Sequence, residues 1–442
     1  MRFTTERINS DISFVLSDAF TSICRRLSTA HFTRTRKMPL PKLILSMLYR
    51  RGTTLAIELR RFMKLTKNYD SVDTISKPGY LNQRLKLNPN AIMALCNHHN
   101  RGLYHDEEMK LFNNYIVLAA DGSHINVPTT TETLEKYGSS SRHGTTQQAS
   151  LGLSCLYDVI NNVILSCSIN RVKYNESEQA KAHIKEVPDI IGDKKTIITL
   201  DRGYPSLPLF YTWLSSDQKF VIRLKSVDFK RERKLMKSDD EWLDITIDKT
   251  RLANYKGTEI HDLLSRAGSI RLRIVNTKLE SGSVVSVATN LHESEFSTED
   301  VGQIYLLRWG IETVFDMLKN QLEIENFTGT KPVLIEQDIY ACIYLCNLAQ
   351  DMIADAQLIL DSSKKSSGKH KMVINRAYAV GVMKDELINA LLEPDEDKKK
   401  EIFALMIDEI LENVLPVRPG RHFKRRKGNF AGKFPNNRKR CY

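Results

Sequence analysis

The chain has 442 residues, 65 of them Lys or Arg against 53 Asp or Glu, for a formal net charge of +12 and a pI near 9.2. That length exceeds one compact core and implies about two to four domains, and 41% hydrophobic with 27% charged residues is the balance of a soluble globular chain. No apolar run is long enough for a bilayer and the opening MRFTTERINSDISF lacks the apolar centre of a secretory signal, so membrane and secretory roles are excluded and the basic excess points to a polyanion, nucleic acid first.

Residues 1–110 read as helical and basic. Ten Lys or Arg and the single acid Glu58 lie between Thr33 and Asn68. TTLAIELRRFMK predicts an amphipathic helix, and PGYLNQRLKL a second short one with Pro78 in its first turn. Arg60, Arg61, Lys64, Gln83, Arg84 and Lys86 would then be exposed, either as a helix-turn-helix-like DNA reader or as a solvated basic bundle. His98 and His99 follow a lone cysteine and make no zinc site.

Residues 111–224 change to strand texture. YIVLAA predicts a short buried strand ending at Asp121. ASLGLSCLYDV and VILSCSINR flank Asn161 and Asn162, a hairpin turn. His143 falls in the connecting loop HGTTQQAS and is expected as a plain loop residue. NESEQAKAHIKEV is helical. KTIITL predicts a buried strand ending at Asp201, then PSLPLFYTWLSS a helix and KFVIRLK a strand. The order describes a mixed α/β domain. Residues 225–290 carry WLDITI, IRLRIVNTKL and VVSVATNL, the last two around an ESGS turn, and read as a β-rich insertion.

From Ser297 the pattern is helical, over 298–322, 333–360, 371–393 and 397–413, with Ser297 and Asp300 spaced as a capping box. The boundaries expected from these textures are 291–360 for the second part of the core, 361–417 for a helical region suited to dimerisation, and 418–442 for a basic tail. That tail holds ten Lys or Arg and no acid. The seven cysteines are scattered, which suits a reducing interior. Cys342 and Cys346, at helical spacing in an apolar segment, are expected as core residues.

Three carboxylates stand out. Asp121 and Asp201 each end a short apolar run, where α/β sheets place their chemistry; singly, each is also an ordinary turn or helix-cap aspartate. On one continuous helix Tyr305, Arg308, Glu312 and Lys319 fall within about 60° of one another. Leu307, Ile311, Val314, Phe315, Leu318 and Leu322 line the adjoining, buried face. Two hard divalent cations clamp the attacking and leaving oxygens of a phosphodiester and take two or three carboxylates. Asp121, Asp201 and Glu312 supply them, Asp316 being a rival to Glu312. Arg308 and Lys319 on the same stripe would hold phosphates.

These residues resemble the DDE transposases of bacterial insertion sequences, in the family-four group. That group carries a tyrosine, two residues, an arginine, three residues, a glutamate, six residues and a lysine. YLLRWGIETVFDMLK reproduces the spacing as Tyr305, Arg308, Glu312 and Lys319. DGSHINVP around Asp121, TLDRGYPS around Asp201, and NFTG after the helix are similar to its other motifs. The resemblance covers about residues 115–350. It implies a ribonuclease H-like core interrupted by a β-strand insertion, with Asp121, Asp201 and Glu312 as catalytic acids and metal ligands. It implies two Mg2+ ions, with Mn2+ as a substitute. Tyr305, Arg308 and Lys319 would grip phosphate near the cut, with Arg202 and Trp309 further DNA contacts, although Trp309 is better read as a buried anchor. It implies double-stranded DNA as partner, a homodimer on that DNA, a bacterial cytoplasmic, nucleoid-associated setting and cut-and-paste transposition, and it allows a hairpin intermediate. A stand-alone nuclease and a non-catalytic DNA-binding regulator are the rival readings.

Overall fold

The computed structural model describes residues 2–34, 37–66, 75–105, 109–140, 147–278, 282–363 and 370–418. The basic tail from 419, His143 and part of the ESGS turn lie outside them.

The N-terminal region is helical: Arg2–Val15, Asp18–Cys24, Leu40–Leu48, Leu55–Leu65, Lys77–Arg84 and Asn90–His105. In Leu55–Leu65 the apolar residues recur at helical spacing, so Leu55, Leu59, Phe62 and Met63 are buried while Arg60, Arg61 and Lys64 are exposed. Ser76 caps Lys77–Arg84 by accepting from the Gly79 amide, with Pro78 in the first turn.

The centre of the molecule is one mixed sheet. Its strands are β1 (Ile116–Asn126), β2 (Ser139–Ser140), β3 (Gln148–Asp158), β4 (Val163–Arg171), β5 (Thr196–Leu200), β6 (Lys219–Arg223), β7 (Asp240–Thr246), β8 (Ser269–Lys278) and β9 (Val284–Thr289). Spatially they run β4-β3-β1-β5-β6-β9-β8-β7, with β2 on the free end of β3. β3 is antiparallel to β1 and β4, whereas β1, β5 and β6 are mutually parallel. The first five long strands are therefore ordered third, second, first, fourth, fifth with the second reversed. This is the ribonuclease H-like arrangement. β7, β8 and β9 come from 225–290 and continue the same sheet, β9 pairing antiparallel with β6.

The helix Pro332–Ser362 is apolar nearly all round and runs through the core, with Cys342 and Cys346 fully buried. Arg376–Leu392 and Glu396–Glu412 pack beside it. No helix of the described residues is long and apolar enough to cross a membrane.

Three local expectations are corrected. β1 does not stop at Asp121. Its antiparallel partner β3 continues opposite it as far as Asn126 with Ser150, so backbone pairing outlasts the apolar run. The helix from Ser297 is capped as expected, Ser297 and Asp300 bonding reciprocally, but it breaks. Thr298–Leu307 gives way to Gly310–Asp316 and then to a π turn, Met317–Gln321. At the break the amides of Arg308, Trp309, Ile311 and Glu312 reach back three residues instead of four. Gly310, a poor helix former that packs 3.5 Å (from its would-be Cβ) against Val159, sits at that junction. Arg84, expected on a DNA-reading surface, is fully buried.

Candidate active site

β1 outruns β5. The two strands pair from Ile116 with Thr196 to Ala119 with Thr199, and β5 ends at Leu200. The same offset carried two residues on brings Asp121 level with Asp201, at the edge of β1 that β5 leaves uncovered. Each aspartate is fixed by its own local amide. Asp121 Oδ1 accepts from Gly122 N at 2.8 Å, and Asp201 Oδ1 from Gly203 N at 2.6 Å.

The half-buried Asp121 carboxyl is pushed up to about 6. Burial is the main cause, opposed by the Gly122 amide; the negative charge of Asp201 adds to it, Arg308 opposes it, and Glu176 adds further. Asp201, Arg308 and Glu176 thus each lie within electrostatic reach of Asp121, and Glu176 within reach of Asp201. Among the described residues none of the three acids forms an ion pair with a Lys or Arg.

Glu312 reaches this group through Arg308. The Arg308 guanidinium is buried and donates to Glu312 Oε1 at 2.8 Å, one helical turn along. Burial works against its charge, but the bond to Glu312 and the adjoining Tyr305 hydroxyl outweigh that and raise its pKa. Its Nε has no acceptor among the described residues. Among the described residues no group of three or more His, Cys, Asp or Glu stands arranged to hold a metal ion. The structure therefore brings Asp121 and Asp201 together and leaves Glu312 held by Arg308, its side chain 41% exposed.

The other expected residues are distributed unevenly. Tyr305 is buried, its hydroxyl 3.4 Å from the Arg223 guanidinium. Lys319 is half-buried in the π turn. Arg202 is exposed beside Asp201. Trp309 is 46% exposed with the Arg308 guanidinium 5.6 Å from its ring centre, which corrects the expectation of a buried anchor. The break at Gly310 turns it outward. Asp316 is exposed and accepts from Asn320 at 2.6 Å.

Sequence reasoning missed Glu176. It opens the helix Glu176–Glu186 after the cap Asn175, where an acid is ordinary because the helix dipole favours it. Only its position in space distinguishes it. The donor chemistry of the site fits a hard divalent cation. All its acids are oxygen donors, the ligand type such a cation takes, and their mutual repulsion is offset in part by Arg308 at Asp121 and by His124 at Glu176.

A 100-residue stretch is 35% identical to the transposase for insertion sequence element IS421 of Escherichia coli, covering 22% of this chain and 26% of that protein. Another of 133 residues is 32% identical to the transposase for insertion sequence element IS231F of Bacillus thuringiensis subsp. israelensis, covering 29% and 25%. The chain spans about a quarter of the length of the curated relatives it matches. The piggyBac transposase, solved in a synaptic complex with hairpin DNA, superposes with a TM-score of 0.45 at 11% identity, over 90% of this chain and 84% of that one. Residues 113–348, from just before β1 through the middle of the long helix, match the family model described as the transposase DDE domain, and the chain belongs to that family.

Proposed function

We propose that this chain is a transposase that binds the terminal inverted repeats of an insertion sequence, cuts DNA at the element ends and joins the freed 3′ ends to target DNA. The observation that carries the reading is the levelling of Asp121 with Asp201 on adjacent parallel strands, with Arg308 linking them to Glu312.

The chemistry is two displacements at phosphorus. In the first, a water oxygen attacks the phosphorus at the element boundary, the P–O3′ bond breaks, and the element end keeps a 3′ hydroxyl. In the second, that hydroxyl attacks a target phosphorus and the target's own P–O3′ bond breaks, so the number of diester links is conserved. Asp121, Asp201 and Glu312 are the residues that would hold Mg2+, or Mn2+ in its place. Two such ions, when bound, supply Lewis-acid stabilisation of the phosphate and a more acidic nucleophile. Arg308 holds Glu312 through its bond to Oε1 and offers its Nε–H, without an acceptor among the described residues, as a donor for a phosphate oxygen. Arg202 and Trp309 are exposed and suit the DNA flanking the cut. Lys319 and the Tyr305 hydroxyl support the phosphate from the helix side.

Exposed Arg60, Arg61 and Lys64, with the net charge of +12, suit a salt-dependent hold on the DNA backbone. Two ends must be held at once, so a homodimer on DNA is expected, acting at the bacterial nucleoid.

The test is the full-length protein with DNA carrying the element ends and Mg2+ or Mn2+. Metal-dependent nicking at the ends and joined products are expected, and Asp121→Asn should abolish both while leaving the DNA mobility shift. Cleavage without joined products would reduce the protein to a nuclease. A shift with no metal-dependent cleavage would reduce it to a DNA-binding regulator.

A further inference from the structure

Asp121, Cys155 and Cys167 stand in one row across three strands. Asp121 of β1 lies opposite Cys155 of β3, and Cys155 lies opposite Cys167 of β4. Backbone bonding fixes what kind of pair each is. The Val159 amide donates to the Val117 carbonyl and the Val127 amide to the Ala149 carbonyl, one at each end of the β1–β3 ladder. Antiparallel pairs alternate, so every second pair between them, Asp121 with Cys155 included, exchanges both backbone bonds. The backbone of Cys155 is thus taken up by β1, and Cys155 with Cys167 is a non-hydrogen-bonded pair. Ile164 of β4, opposite Tyr157, shows the same alternation: its amide and carbonyl bond Asn347 and Asn100 instead of β3. Pairs of this kind bring side chains closest, with Cα atoms about 4.5 Å apart, inside the range of about 4.4–6.8 Å that a disulfide spans.

Both cysteines are free thiols. They share a hydrogen bond, which, ahead of burial, raises the Cys155 thiol well above its ordinary value. Cys155 is fully buried and Cys167 half-buried, so a small oxidant meets Cys167 first. Cys342 and Cys346, the pair conspicuous in the sequence, bond elsewhere, to the Leu322 carbonyl and to Met317 Sδ.

We propose that Cys155 and Cys167 are a redox modification site: a peroxide links them across β3 and β4, and the link disables the adjoining Asp121. Cys167 Sγ attacks a peroxide oxygen, the O–O bond breaks, and a sulfenic acid and one water form. Cys155 Sγ then attacks that sulfur, the S–O bond breaks, and the oxygen leaves with the thiol proton as a second water. Two thiols lose two electrons, and the peroxide is reduced to water. In a reducing interior such a bond is transient, a sensor and not a staple. Bonded sulfurs stand about 2.05 Å apart, inside any thiol–thiol contact, so β3 shifts toward β4 at this row. Cys155 holds Asp121 through both backbone bonds, so the shift reaches the aspartate, where a misplacement of about 1 Å costs on the order of 10²-fold in rate. The bond itself stands apart from the proposed function; the loss of cleavage rests on it.

The test is the full-length chain treated with hydrogen peroxide, mapped by mass spectrometry of unreduced peptides, and assayed for metal-dependent cleavage of element-end DNA. A link between Cys155 and Cys167 should form, cleavage should fall by on the order of 10²-fold, and dithiothreitol should restore it. Cys167→Ala should cleave like the untreated parent with or without peroxide; Cys167→Ser takes its place if the alanine variant melts low. Thiols that stay unlinked, or that oxidise singly to sulfinic acids, would overturn the site. So would a complete link with cleavage intact, or an equal loss of cleavage in Cys167→Ala. If the untreated parent cuts no DNA, the proposed function falls, and hydrogen exchange at the amides around Asp121 judges the site instead. That exchange should change on linking, and an unchanged pattern would overturn the proposal.

Discussion

Two buried arginines divide the molecule into a part built to hold and a part built to act. Arg84 ties the N-terminal helices to the long helix Pro332–Ser362. It donates to Gln337 at 2.9 Å, to the Leu334 carbonyl at 3.1 Å, to Asp338 at 3.0 Å and to Thr328. Asp338 in turn accepts from the Thr328 amide at 2.7 Å and pairs with Arg50 at 3.6 Å. Every charge there has partners. Arg308, also buried, has one bonded carboxylate and an Nε with no acceptor among the described residues. Its carboxylate, Glu312, is partly in water. A buried charge with all its bonds made is a strut; one with a donor left over is poised for a ligand.

The largest effect expected from this contrast is a crossed one. Arg84→Ala leaves Asp338 buried with only Arg50 for charge balance, and should cost about 3–5 kcal/mol of folding stability. Arg308→Ala frees an acid that water can solvate, and should cost only about 1–2 kcal/mol. Cleavage should move the other way. Arg308→Ala should lower it by on the order of 10²–10³-fold, the scale of a lost electrostatic donor at the reacting group. The folded fraction of Arg84→Ala should keep its rate. Urea melts and single-turnover cleavage check both. Equal losses of stability with normal cleavage by Arg308→Ala would erase the distinction.

The same pair shows what a sequence discloses. Asp121 and Asp201 were legible because each ends an apolar run, and strand runs are local. The levelling of the two needed only that β1 and β5 be neighbours. The stripe through Tyr305, Arg308, Glu312 and Lys319 kept its residues but not its geometry. Helical periodicity was carried across Trp309 and Gly310, where the helix breaks, and into a π turn. The glycine was the signal. Arg84 was misread because its partner Asp338 lies 254 residues away, and nothing local separates a paired basic residue from a DNA-reading one. Glu176 was hidden by its ordinariness as an acid in a first helical turn.

A pH profile sharpens the holding side. His99 lies buried between Asp11 and Asp351, its Nδ1 2.8 Å from one and its Nε2 3.4 Å from the other. Arg7 also bonds Asp351 at 2.8 Å, and the Tyr344 hydroxyl donates to Asp11 at 2.7 Å. Burial alone would lower the imidazole, but the two carboxylates raise it from 6.5 to about 9. A raised histidine contributes stability that is fully present below the unfolded value and is lost as pH rises through the folded one. Melting temperature should therefore fall between pH 6.5 and about 9, by no more than about 3 kcal/mol in free energy from this group. His99→Gln should flatten that decline. A parent profile level across the window would show that the imidazole is neutral there.

The smallest effect tests where DNA sits in the N-terminal region. Arg60 and Arg61 are exposed on the helix Leu55–Leu65, the opposite condition from Arg84. Their guanidinium groups are hydrated and cost the fold nothing to remove, so Arg60→Ala with Arg61→Ala should melt like the parent. If each neutralises one phosphate, each releases counterions on binding. The slope of log affinity against log salt should then become shallower by about 1.8 for the pair, with roughly tenfold weaker binding at low salt. Fluorescence anisotropy with element-end DNA across a salt series measures both quantities. An unchanged slope would move DNA off this helix, leaving residues such as Arg202 and Trp309 to carry the contact.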